Sequence, residues 1–399
     1  MMKQAREFPV FTVTPKAARS LAAGHPWVYA EEVLDAQPCE NGALADVFSQ
    51  KGSWLGTGLV SLQSKIRVRV LSRNANDVFD ESFWRRRLRY AWEYRKAVMG
   101  PDVSNCRIIF GEADQFPGLT VDRYGTLLSA QVLSVGMERL KHTLFPALVQ
   151  MLRADGQDIR GLYERNDVAL REKEGLAQYK GWYDLSALSL PLPETPLAHI
   201  CENGIHYTVD VENGQKTGFF LDQKYNRRAV AALAKGRTVL DCFTHTGSFA
   251  LNAAKGGAVK VTAVDVSEAA CAMARRNAEE NGLSGVMQAW PPMCSSCCPR
   301  FPKAATILLF WTRPPLQKHA KRCAMPCAAI KKSTPAPCAF CRVGATWPPA
   351  AAATLPRRKN SAKCWPPRQR TPGCSCGRLP RASRRRITPF CGTCPRQIT

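Results

Sequence analysis

The chain has 399 residues, with 56 Lys and Arg against 32 Asp and Glu and a formal net charge of +24. These figures average two unlike segments: all 32 acidic residues precede residue 290, while 21 basic residues, 12 of the 17 Cys and 18 of the 28 Pro lie from 290 onward. No apolar run reaches the ~18 residues of a membrane span, the N-terminal MMKQAREFPVF lacks a secretory apolar stretch, and the few cysteines before 290 form no disulfide framework, so the composition excludes a membrane or disulfide-stapled protein and predicts a cytoplasmic one.

Residues 9–72 read as a small β-rich unit. KAARSLAAGHPWVYAEEV (16–33) predicts a short helix, a Gly-His-Pro turn and a strand, and ADVFSQKGSWLGTGLV (45–60) predicts two strands around a Lys-Gly turn. KIRVRVLS (65–72) alternates with period 2, placing Ile66, Val68 and Val70 on one face and Lys65, Arg67 and Arg69 on the other. That basic face is either a solvated strand face or a nucleic-acid surface. After the polar connector RNANDV (73–78), residues 79–98 predict a helix capped by Asp80 or Ser82 and ended by Gly100-Pro101. Its core face is Phe83, Leu88, Ala91, Trp92 and Val98, and Arg85, Arg86, Arg87 and Arg89 form a solvated charge run. A strand, a Gly/Pro turn and two further strands follow over 106–133, then a helix over 137–154 and a strand over 161–167. This middle unit is α+β.

From about residue 199 the pattern changes. HYTVDV (206–211) alternates as a strand, and 217–234 leads into a helix. TVLDCF (238–243) and VKVTAVDVS (259–267) are continuous apolar strands alternating with helices over 248–256 and 267–282, the signature of a parallel, doubly wound sheet. The first strand ends in Asp241, a turn containing Gly247 leads into a helix, and the second strand ends in Asp265. In such sheets ligands bind outside the carboxyl ends of the strands, and a carboxylate ending the second strand is placed to accept from ribose hydroxyls. The loop is not G-x-G-x-x-G, which disfavours a nicotinamide dinucleotide and favours S-adenosylmethionine. Each residue also has a plain structural role open to it: Asp265 as a cap for the next helix, Gly247 as a turn.

GHPWVYAEEV, ADVFSQKGSWLGTGLVSLQSKIRVRVL, GEADQFPGLTVDRYG, GQKTGFFLDQKYNRRAV and LDCFTHTGSFALNAAKGGAVKVTAVDVSE together resemble the bacterial class I 23S rRNA cytosine-C5 methyltransferases of the PUA-domain type, over about residues 9–289. The resemblance departs at Lys224, where an Arg is usual, and at His245, where a Tyr is usual. It implies a mixed α/β chain: a PUA-like RNA-binding domain (1–73), an α+β middle domain (79–190) and the cofactor half of a Rossmann-like class I methyltransferase domain (199–289), its C-terminal half lost. It implies S-adenosylmethionine held by Phe220, Asp222, Asp241, Phe243, Thr244, Gly247, Asp265 and Val266, 23S rRNA as partner, and an open oligomeric state, a homodimer included. It further implies a Cys thiolate that adds to cytosine C6 so that C5 can attack the methyl group, with an Asp-Pro-Pro segment orienting the base and a Thr-Cys-Ser-Cys-Ser segment holding the thiol. Neither segment stands in the chain as written, and Cys242 in the first strand reads as structural. No catalytic residue is therefore assigned, and the literal chain is expected to be unstable or inactive. The alternative is a non-catalytic RNA-binding remnant with a basic tail.

Three readings compete for residues 290–399. CSSC (294–297), CAFC (338–341) and CGTC (391–394) have zinc-type C-x2-C spacing, but the pairs lie too far apart in sequence. A disordered basic arm would bind phosphates, yet such arms are seldom rich in Cys and Trp. The third reading is a shifted frame. Beginning each codon at the third base of the printed one forces Ala at Trp290-Pro291, Val at Met293-Cys294 and Asp at Trp311-Thr312. WTRPPLQ (311–317) then accommodates Asp-Pro-Pro-Ala-Phe-Ala, and ATWPPAAAATLPRRKNS (345–361) accommodates a Thr-Cys-Ser-Cys-Ser segment. TILL (306–309) fits the fold in the printed frame, so more than one slip is implied. The segment is expected to be without order. Sequencing the gene across codons 285–315 is expected to reveal a gained or lost base; an unbroken read of the printed frame refutes the idea.

Overall fold

The computed structural model describes residues 7–290 and the strand 307–311. The three C-x2-C pairs and the segments 312–317 and 345–361 lie outside the described residues.

The N-terminal unit begins with β1 (Val10–Val13) and α1 (Pro15–Ala22), whose first turn is capped by the Thr14 hydroxyl accepting from the Ala17 N–H. β2 (Trp27–Tyr29), β3 (Val33–Ala36), β4 (Leu44–Ser49), β5 (Trp54–Val60) and β6 (Ile66–Ser72) complete a six-stranded sheet of order β2-β6-β5-β4-β1-β3. Its core is Phe11, Val13, Leu21, Val28, Val47, Val60 and Val68.

The middle unit runs α2 (Glu81–Met99), β7 (Asn105–Phe110), β8 (Leu119–Tyr124), β9 (Leu127–Val132), α3 (Val135–Ala154), β10 (Gly161–Asn166) and β11 (Tyr179–Trp182), with sheet order β11-β10-β9-β8-β7. Asp80 caps α2 by accepting from the Phe83 N–H at 2.8 Å, so of the two predicted caps the carboxylate takes the role. Phe83, Leu88, Ala91 and Trp92 are buried as read, but Val98 is exposed and Trp84 takes a core place. Arg87 leaves the expected solvated run: it is buried, donates to the Leu71 carbonyl at 3.0 Å and lies over the Phe83 ring.

The first two units are locked together. Arg69 is buried and donates to both Glu174 oxygens, and the Ser61 hydroxyl donates to the same carboxylate at 2.6 Å. The Arg69 part of the alternating basic face is therefore neither solvated nor free for nucleic acid; it is covered by the middle unit. A Cβ on Gly136 would come within 2.6 Å of Leu59, so α3 and β5 meet at the distance that only glycine permits.

The third unit opens with the hairpin β12 (Leu197–Glu202) and β13 (Ile205–Asp210), followed by α4 (Lys224–Ala234), β14 (Thr238–Cys242), α5 (Ser248–Lys255), β15 (Lys260–Val264), α6 (Glu268–Glu280) and β16 (Met287–Trp290). β17 (Ile307–Trp311) pairs parallel to β14, with Thr238 opposite Ile307 and Cys242 opposite Trp311, giving the order β16-β15-β14-β17. The strand takes in residues 307–309 of the TILL run that fits the fold in the printed frame. Val239, Val261, Ala263, Leu251 and Ala274 fill the space between sheet and helices.

Removing Glu174 leaves the buried Arg69 with Glu112 as its nearest carboxylate, at 4.0 Å. Glu174→Ala is expected to lower unfolding stability by about 3 kcal/mol, whereas Arg85→Ala, which breaks an exposed pair with Glu81, costs less than about 1 kcal/mol. Urea midpoints check this; equal effects of the two substitutions would overturn it.

Candidate cofactor site

The site is built where β14, β15 and β16 end. All three are parallel, so their carboxyl ends form one edge. The loop after β14 cannot relax into ordinary backbone: Phe243 and His245 have φ of 63° and 53°, and Gly247 has 81°. Left-handed residues other than glycine persist only where surrounding bonds hold them, and they cluster at functional sites. The Thr244 N–H donates to the Val264 carbonyl at 3.0 Å, and the Asn277 side chain donates to the Thr246 carbonyl at 3.1 Å. Gly247 is required twice over, because a Cβ there would also meet the Met287 methyl at 2.8 Å.

The two strand-end carboxylates have different tasks. Asp241 is fully buried. One of its oxygens accepts from the Thr244 hydroxyl at 2.5 Å and from the Ala250 N–H at 3.1 Å, tying strand, loop and α5 together; the other has no partner. Burial pushes its carboxyl from the usual 3.8 to about 7. Asp265 accepts from the His245 N–H at 2.8 Å and from the Ser267 N–H at 3.0 Å, one bond to each oxygen. A carboxylate has about four acceptor positions, so Asp265 keeps capacity for two hydroxyl donors. Three apolar side chains are exposed at this edge: Phe243 just past β14 (37% exposed), Val266 just past β15 (63%) and Trp290, the last residue of β16 (43%).

The segment before α4 closes the other side. The Phe220 ring meets the His245 ring edge-on at 5.6 Å, and Lys216 Nζ lies 4.5 Å over the Phe220 ring and 3.8 Å from Asp222. Arg227 is buried, grips Glu202 with two hydrogen bonds and donates to the Phe220 carbonyl at 2.8 Å; its Nη1 is without a partner. Burial holds the His245 imidazole below its usual range, which keeps it neutral near pH 7.

Of the residues named from sequence, Phe243, Asp265 and Val266 lie at the carboxyl ends of β14 and β15, Phe220 reaches that edge through the His245 ring, and Asp222 is paired with Lys216. Asp241, Thr244 and Gly247 lie beneath the loop and shape it. Sequence reading missed Trp290, because it falls where the composition changes, and Arg227, because a basic residue on a helix reads as solvated. The glutamate at 202 that buries it has no local signal. The arrangement suits a neutral adenosine: hydroxyl acceptors at Asp265, apolar plates on Val266 and Trp290, and no ring of amides or cations for a pyrophosphate. S-adenosylmethionine fits these residues.

Comparison with known proteins agrees. Residues 11–73 match the PUA-like domain family and residues 184–287 match the S-adenosylmethionine-dependent methyltransferase family. Ribosomal RNA large subunit methyltransferase I of Photobacterium profundum is 41% identical over 268 residues, covering 66% of this chain and 65% of the relative. The protein of that name in Shewanella denitrificans is 40% identical over 272 residues, covering 67% of this chain and 66% of the relative. The chain thus spans just under two thirds of these curated relatives. An S-adenosylmethionine-dependent methyltransferase of Streptococcus mutans shares the fold, with a TM-score of 0.59 at 23% identity over 71% of this chain and 70% of that one. A methyltransferase complexed with SAH does so with a TM-score of 0.60 at 22% identity over 72% and 70%.

The raised carboxyl of Asp241 gives a pH signature. Its folded form holds the proton more tightly than the unfolded chain, so the stability it contributes is complete below about pH 4 and is lost as pH rises through about 7. Asp241→Asn is expected to remove that loss, up to a few kcal/mol, in denaturant titrations from pH 4.5 to 7.5; parallel curves for the two proteins would refute the assignment. With the loop, the edge and the matched residues in agreement, the chain carries an S-adenosylmethionine-dependent methyltransferase domain over residues 184–287, preceded by a PUA-like domain over residues 11–73.

Proposed function

We propose that this protein is a ribosomal RNA methyltransferase by descent, built to methylate C5 of a cytosine in large-subunit rRNA. The observation that carries the cofactor part is Asp265, with acceptor capacity to spare between Val266 and Trp290 at the carboxyl edge. Asp265 would hold the ribose hydroxyls, Val266 and Trp290 would face the adenine, and Phe220, Asp222 and Phe243 would border the methionine part. Asp241, Thr244 and Gly247 would hold the loop that supports them. The cofactor supplies an electrophilic methyl group. The relatives' name and the PUA-like domain support an RNA substrate.

The chemical step needs a thiol and a base-orienting carboxylate. Cys106 and Cys271 are buried, and Cys271 donates to the Trp290 carbonyl at 3.0 Å. Cys39 and Cys201 belong to other elements of the chain. No Asp-Pro-Pro or Thr-Cys-Ser-Cys-Ser segment stands in the 399 residues. The reading is therefore split: cofactor binding retained, methyl transfer not.

Isothermal calorimetry with S-adenosylhomocysteine is expected to show binding by the full chain, weakened at least roughly tenfold by Asp265→Ala, which removes the hydroxyl acceptors. Absence of binding would leave the RNA-binding remnant as the better account. Radiolabelled methyl transfer to large-subunit rRNA is expected to be absent, and robust transfer would overturn the second half of the proposal.

A further inference from the structure

β7 buries Cys106, Ile108 and Ile109, but its last residue, Phe110, is 40% exposed. It is not among the residues of the buried core of the middle unit. Its position is fixed: the Phe110 N–H donates to Asp114 at 2.7 Å, and Asp114 is held by the buried Arg95. Arg107 lies 5.2 Å over the Phe110 ring and cannot swing away, because Nε and Nη2 donate at 2.7 and 2.9 Å to the buried Asp122. β7 packs against the turn 221–223, which carries Asp222 and follows Phe220. The two elements in contact each carry, or follow directly, a ring with a cation over it: Phe110 with Arg107, and Phe220 with Lys216. Each cation has its own carboxylate, Asp122 or Asp222.

That neutrality decides the ligand. A phosphate subsite leaves its cations unpaired; here both are balanced, and what is offered is aromatic surface. The matching ligand is the π face of a nucleobase, which every base possesses. We propose that Phe110 is a stacking subsite for a nucleotide of single-stranded RNA flanking the base presented at the cofactor edge. This rests on the RNA-methyltransferase reading above and adds a substrate contact from the middle unit.

The test uses the full 399-residue chain and two labelled probes of equal length, an oligocytidine RNA and an abasic ribose-phosphate oligomer, by fluorescence anisotropy. The basic tail meets the same phosphates in both, so the ratio of affinities isolates base contacts. The wild type is expected to favour oligocytidine; Phe110→Ala loses roughly tenfold on oligocytidine and none on the abasic oligomer, with an unchanged salt slope, and Phe110→Trp restores binding. A wild type without base preference, a Phe110→Ala chain that keeps its preference, or equal losses on both probes would each overturn the subsite. S-adenosylhomocysteine binding by Phe110→Ala separates the claims: binding retained with the base preference intact defeats the subsite alone, while absence of cofactor binding in the wild type defeats the enzyme reading.

Discussion

The buried carboxylate of Asp122 holds the two sides of the candidate site together. It receives two hydrogen bonds from Arg107 on β7 and one from the Thr217 hydroxyl at 2.5 Å. The Tyr124 hydroxyl accepts from the Phe219 N–H and shares its one proton between Thr217 Oγ1 at 2.9 Å and the Phe219 carbonyl at 3.0 Å. The segment that delivers Phe220 and Asp222 has no sheet or long helix of its own. Its geometry is borrowed from β8 through one buried anion and its donors. A buried charge is costly unless every lone pair is used, so this network is satisfied only in one arrangement. Loss of Arg107 would leave Asp122 without its cation, and loss of Thr217 would cut the segment's bond to that carboxylate. The middle unit thus helps to position the segment beside the candidate site.

The same economy appears in the pair Asp241 and Asp265. Both end parallel strands, and a reading of the sequence treats them as one kind of residue. Their surroundings separate them. Asp241 faces the sheet interior, where burial favours the protonated acid and two donors bind one oxygen. Asp265 stands where two backbone N–H groups hold it and where solvent still reaches. One carboxyl shapes the loop; the other is left able to accept from a ligand. His245 belongs to the same logic: its backbone is held by Asp265, its ring is buried against Phe220, and a neutral imidazole there avoids placing a second cation beside a sulfonium cofactor.

The architecture was legible because its signals are periodic. Alternation in 65–72, continuous apolar strands at 238–243 and 259–267, and the cap at Asp80 each rest on short-range physics. What was not legible depends on partners distant in sequence or on side-chain direction. Arg69 was left open between a solvated face and a nucleic-acid surface, and Arg87 read as solvated, because nothing local announces Glu174 or the Leu71 carbonyl. Asp265 could read as the cap of the next helix, but the side chain that caps it is Ser267. Phe110 read as an ordinary apolar strand residue, since exposure is decided by what fails to cover it.

β17 brings the argument to the residues after 290. A parallel strand is held by backbone hydrogen bonds, and the short apolar run Ile307–Trp311 supplies them in the printed sequence. A catalytic turn depends on particular side chains. It needs a carboxylate, a pair of prolines and later a thiol at fixed places. The chain enters the carboxyl edge at Trp311 and continues in sequence as Thr-Arg-Pro-Pro. In the printed frame that stretch carries the two prolines of the segment the resemblance implies and no carboxylate. The sheet and its carboxyl edge depend on hydrophobic pattern and backbone, whereas a base-orienting carboxylate and a thiol depend on individual atoms.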